Sequence, residues 1–80
     1  MTATRLSTEQ RRALALLASS RHGMSEELLV RGHGFSRGVL ASLVRRGLAG
    51  SERDVIVAGG GAVEVVRVRI TAAGLRGIES

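Results

Sequence analysis

Five arginines and one serine have the residue types that could contact a polyanion such as a nucleic acid. Arg37, Ser42 and Arg45 recur at helical intervals in one short segment, together with Gly38 and Ala41. A helical wheel sets these residues opposite an apolar stripe of Val39, Leu40, Leu43 and Val44. A guanidinium can bond guanine O6 and N7 in bidentate fashion, and a serine hydroxyl can bond either kind of base edge. Gly38 and Ala41 lack bulk, so a groove or a phosphate can come close. Arg67 and Arg69 lie within a later stretch of alternating residues, with Arg53 across the hairpin from them, where cations suit the phosphate backbone or a narrow minor groove. The competing reading is plain: a solvated helix face and an outward strand face, both kept soluble by charge.

Other constellations are absent. His22 and His33 each sit beside a glycine, with no second ligand at metal-binding spacing. No nucleophile and base are set near each other, so neither an enzyme nor a cofactor is expected. Gly59-Gly60-Gly61 lacks the Lys-Ser/Thr ending of a phosphate loop and runs into a strand, which makes it a hairpin tip.

Bulk composition narrows the partners. Eighty residues make one small domain, 1–80, and the absence of cysteine excludes disulfides and thiolate metal sites. The formal net charge is +5 and every one of the 12 basic residues is arginine. That charge favours an anionic partner, although a GC-rich coding bias gives the same mix. Phe35 is the only aromatic residue, so stacking of single-stranded bases is not expected. Met1 to Arg12 has no apolar segment of the signal-peptide kind, and Ala13 to Ala18 is too short an apolar run to span a bilayer. A soluble, cytoplasmic protein with no membrane partner is expected.

The elements that must hold these residues are marked by caps. Ser7 and Gln10 have capping-box spacing at the head of a first helix, with Ala13, Leu14, Leu17 and Ala18 on its apolar face. The polar stretch Ser19–Gly23 ends it. Ser25 caps a second helix that stops near Gly32, and Glu26 and Glu27 fill its first turn, where the dipole favours acids. These two carboxylates would also repel a phosphate backbone. Ser36 caps the third helix; Gly47 and Leu48 fit a Schellman ending.

After residue 50 the apolar period drops to two. Val55–Val57 and Glu64–Ile70 read as paired strands, with Val66, Val68 and Ile70 on one face and Val65, Arg67 and Arg69 on the other. Thr71 caps a short last helix, which Gly74 and Gly77 weaken by roughly 1 kcal/mol each. Leu14, Leu17, Leu28, Phe35, Leu40, Leu43, Leu48, Val66, Val68 and Ile70 are the expected core. The fold class is α+β, mainly helical: a winged helix-turn-helix with a three-helix core, a two-stranded hairpin wing and a short C-terminal helix.

The stretch Ser25 to Ile78 resembles the winged-helix domain of the MarR superfamily of bacterial regulators. Glu27-Leu28-Leu29, Gly34-Phe35-Ser36, Leu43-Val44-Arg45-Arg46-Gly47-Leu48 and Arg69-Ile70-Thr71-Ala72-Ala73-Gly74 carry the resemblance. It implies double-stranded DNA binding, read by the third helix and steadied by the wing. The expected function is a small DNA-binding protein, a transcriptional regulator or accessory factor. Arg37, Ser42 and Arg45 would meet the groove, and Arg53, Arg67 and Arg69 the phosphates. The alternative is a winged-helix module that binds a protein partner or a second copy and no DNA.

Overall fold

The computed structural model describes residues 5–20 and 22–79. Arg21, inside the predicted polar stretch, and the first four residues of the N-terminal segment lie outside them. Helix α1 (Thr8–Ala18) starts at the capping box: Gln10 N–H donates to Ser7 Oγ at 3.1 Å, and Ser7 N–H donates to Gln10 Oε1 at 2.9 Å. Ala13, Leu14 and Leu17 are buried, whereas Ala18, the last residue of the helix, is exposed.

Strand β1 (Met24–Ser25) follows, an element with no signal in the sequence. Two residues cannot display a period. Its partner is the strand β3 (Gly61–Ile70), with Met24 opposite Val68 and Ser25 opposite Arg67. The sheet is therefore three-stranded and antiparallel, with β3 in the middle and β2 (Ala49–Ala58) on its other side, where a hairpin alone is expected.

Ser25 also caps the next helix, its Oγ accepting from Leu28 N–H at 3.1 Å. The helix widens to a π-helical turn over Leu28–Gly32, and His33 N–H reaches back five residues to the Leu28 carbonyl at 3.1 Å. Leu29 takes the core place and is fully buried; Leu28, expected there, is 47 % exposed.

Helix α2 (Arg37–Arg45) is capped by Ser36, whose Oγ accepts from Val39 N–H at 3.1 Å. Its C-terminus is a Schellman motif. Gly47 has φ +75°, a left-handed conformation that suits glycine. Leu48 N–H bonds the Leu43 carbonyl at 2.9 Å, and Gly47 N–H bonds that of Val44 at 3.0 Å.

Strand β2 (Ala49–Ala58) pairs with β3 along all ten residues, from Ala49 opposite Ile70 to Ala58 opposite Gly61. Only its apolar end, Val55–Val57, was legible, because Ser51-Glu52-Arg53-Asp54 shows no apolar alternation. Gly59 and Gly60 both have positive φ, +58° and +83°, as a two-residue type I′ hairpin turn requires.

Helix α3 (Ala72–Glu79) is docked by Thr71. The Thr71 hydroxyl donates to the Gly47 carbonyl at 2.7 Å and accepts from Gly74 N–H at 3.1 Å. Gly74 is buried, and a Cβ there would overlap the Leu48 carbonyl oxygen. This glycine weakens the helix but permits its close approach to the Schellman turn.

The core gathers Leu14, Leu17, Leu29, Leu40, Leu43 and Val68, all fully buried, with Phe35 and Leu48 each 6 % exposed. Ile70 is half-buried and packs against this cluster, whereas Val66, expected in the core, is half-buried outside it and lines the groove beside α2. The hairpin leaves this body and runs outward, so the molecule measures 52 × 22 × 21 Å. Among the described residues, no helix is long and apolar enough to cross a membrane.

Candidate nucleic-acid interface

Helix α2 is the third helix of the sequence reading, and its neighbours decide which of its side chains are available. On one side lies α1. Gln10 Nε2 donates to Ser42 Oγ at 2.9 Å, while Ser42 Oγ donates to the Val39 carbonyl at 2.7 Å. Ser42 is thereby half-buried and turned toward α1, off the outward face where the wheel set it. On the same side Glu9 Oε2 accepts from Ser36 N–H at 3.3 Å.

On the other side lie the second helix and the hairpin of β2 and β3. Arg37 Nε approaches Glu26 Oε1 at 3.8 Å. A shallow groove of about 300 Å³ separates α2 from the sheet, lined by Leu40, Ala41, Val44, Arg45, Ser51 and Val66 among others. The outward ridge is left with Gly38, Ala41 and Arg45, all exposed. Of the three residues expected to read bases, Arg45 alone stands on that ridge without a carboxylate partner among the described residues.

The hairpin is not the cationic wing expected. Arg67 and Arg69 do share the outer face of β3, opposite the half-buried Val66 and buried Val68. Each is answered by a carboxylate one step along β2. Arg69 donates to Glu52, and Arg67 Nη2 lies 3.3 Å from Asp54 Oδ2. On the core-side face Arg53 Nη1 lies 3.9 Å from Glu64 Oε2. All three are diagonal cross-strand neighbours in the register. The two strands thus carry three arginines and three carboxylates, and their formal charge sums to zero. Exposed pairs of this kind contribute about 0–1 kcal/mol each to stability. Their larger effect is on the field, because a phosphate approaching the wing meets both signs.

The unpaired positive charge lies on the helical body. Among the described residues, Arg5, Arg11, Arg12, Arg45, Arg46 and Arg76 have no carboxylate partner. Four of these bracket the contact between α1 and α2. Arg46 Nη1 donates to Gln10 Oε1 and its Nη2 to the Arg5 carbonyl, each at 3.1 Å. Arg12 stands 6.0 Å over the Phe35 ring, next to the start of α2. Arg45 follows on the outward ridge. Sequence spacing could not assemble this set, since residues 5 and 46 meet only through the packing of α1 on α2. The doublet Arg45-Arg46 at a helix C-terminus was the usable signal.

Both histidines are exposed, and no cluster of His, Cys, Asp or Glu among the described residues could hold a metal ion. Glu26 and Glu27 are both in ion pairs, the second with Arg31 at 3.7 Å. Comparison with family models, curated proteins and solved structures gave no match.

Proposed function

We propose that the chain is a winged helix-turn-helix protein that binds duplex DNA with little sequence preference. Its phosphate contacts come from the α1–α2 face and not from the wing. One observation carries this reading. Five ion pairs neutralise the three arginines of the wing, Arg31 of the second helix and Arg37 at the head of α2, while Arg5, Arg12, Arg45 and Arg46 have no carboxylate partner among the described residues and lie where α1 packs on α2. Affinity for DNA comes largely from cations that neutralise phosphates and release counterions. Specificity needs base-edge contacts, and a ridge of Gly38, Ala41 and Arg45 offers one side chain able to make them.

The test is fluorescence anisotropy with a labelled random duplex, titrated against salt. Replacing Arg45 and Arg46 together with alanine should weaken binding to every sequence and flatten the log–log salt slope by about 0.9 per lost contact. The paired change Arg67→Ala with Asp54→Ala, neutral in charge, should leave both quantities near the parent values.

A second reading is favoured by the same neutral wing and by Glu26, which stands beside the head of α2. A face of mixed charge suits a protein better than a phosphate backbone. A folded protein that shows no binding at low salt would establish that reading and exclude the first.

A further inference from the structure

The outer part of β2, Val55 to Ala58, is apolar on both faces of the hairpin, and across from it β3 carries one charge, Glu64 opposite Val55. Val55 and Val57 are 66 % and 83 % exposed on the face that continues from the core; Ile56 and Val63 are each 47 % exposed on the other. Strand β1 covers β3 only at Arg67 and Val68, and β2 is the sheet's free edge throughout. An exposed apolar edge strand is a template for pairing with another chain. We propose that this edge pairs with β2 of a second copy, antiparallel, about a two-fold axis through Ile56. This holds independently of whether the body binds DNA.

The arm itself selects a second copy. With Ile56 opposite Ile56 of the second copy, Val55 faces Val57 and Asp54 faces Ala58, so no like charges are opposed. Centring the pair on Asp54 or Arg53 sets that charge against itself. Centring it on Val55 places Arg53 and Asp54 against Val57 and Ile56. The hydrogen-bonding phase agrees. Ala58 and Gly61 close a two-residue turn, so the alternating ladder commits the backbone of Ile56 to β3 and turns that of Val55 and Val57 to the free edge. Those are the groups the proposed register joins.

Charge points the same way. The two long strands sum to zero, while the whole formal +5 of the chain resides outside them. Two arms meet without repulsion, and the 52 Å length of the molecule keeps the cationic bodies at opposite ends. The overlap is small beside the roughly 800 Å² per partner of a stable interface. The dimer is therefore weak and fills as concentration rises.

Sedimentation velocity from low-micromolar to near-millimolar concentration should show the average mass moving from one chain toward two. Ile56→Lys, which sets ammonium against ammonium at the axis, should hold the protein at one chain. The chain has no cysteine, so single cysteines report the register. A non-hydrogen-bonded antiparallel pair brings Cα atoms to about 4.5 Å, within disulfide reach. Ile56→Cys should oxidise to a linked dimer, whereas Ser51→Cys, on the same edge but without an opposite residue, should not. A parent of one-chain mass at every concentration would overturn the proposal and leave the arm to an extended segment of a different protein. A dimer that survives Ile56→Lys, or equal linking through both cysteines, would overturn the interface. Ile56 is half-exposed, and should the lysine variant fail to fold the two cysteine variants still decide.

Discussion

The side-chain amide of Gln10 donates to the Ser42 hydroxyl at 2.9 Å, across 32 residues of sequence. That bond ties α1 to α2 and commits to the interior of the body a hydroxyl whose spacing suited a base edge. Gln10 serves twice, since its Oε1 accepts from Ser7 N–H and from Arg46 Nη1.

Ser42→Ala is therefore expected to cost stability and leave DNA affinity and preference unchanged. A part-buried hydrogen bond of this kind contributes about 0.5–1.5 kcal/mol, and Gln10 would be left to find water. Urea denaturation reads the first quantity and duplex anisotropy the second. A change in sequence preference with stability intact would return Ser42 to the groove.

Phe35→Ala should cost about 3–5 kcal/mol, the range for losing a buried aromatic ring. The ring is 6 % exposed, belongs to the core cluster, and carries Arg12 on its outer side. The loss is a large share of the stability of a small domain. A melting temperature within a few degrees of the parent would show the ring to be dispensable to the core.

Two helical glycines should respond with opposite sign. At Gly74 an added methyl meets the Leu48 carbonyl and Ile70 Cγ1, both held by the Schellman turn and the end of β3. Gly74→Ala is expected to destabilise by about 1–3 kcal/mol, as overpacking does. At Gly77 the nearest atom to an added Cβ is Leu6 Cδ1 at 3.7 Å, an ordinary contact. Gly77→Ala should stabilise by about 0.5–1 kcal/mol through helix propensity. Thermal melts of the two variants settle both signs.

The legible parts of this chain are those fixed by near neighbours. Ser7 with Gln10, Ser25 with Leu28, Ser36 with Val39 and Thr71 with Gly74 are each three residues apart, and all four caps form. The two faces of β3 followed from strict alternation. What escaped depends on distant partners. β1 exists only because Val68 and Arg67 lie beside it. Ser42 turns inward because Gln10 reaches it. The hairpin arginines carry partners because the register sets Asp54 one step from Arg67 and Glu52 one step from Arg69. Arginine count and alternation announce a cationic face; only the register shows that it is neutral.

The Glu26–Arg37 pair gives the last test of the proposed DNA contact. Arg37 opens α2, close to the side a duplex would approach, yet its guanidinium lies 3.8 Å from a carboxylate on the second helix. Phosphate and Glu26 compete for the same cation, and Glu26 itself repels the backbone. Glu26→Gln keeps the shape and removes the charge. Arg37 then stands as one more free cation beside Arg45. Affinity for any duplex should rise at low salt, and the log–log salt slope should steepen by about 0.9, the contribution of one added phosphate contact. Glu27→Gln, one residue on and paired instead with Arg31, serves as the control for bulk charge. Equal gains from both variants would mean that only net charge matters. A gain confined to Glu26→Gln would place Arg37 at the phosphate, and no gain from either would remove the second helix and the head of α2 from the interface.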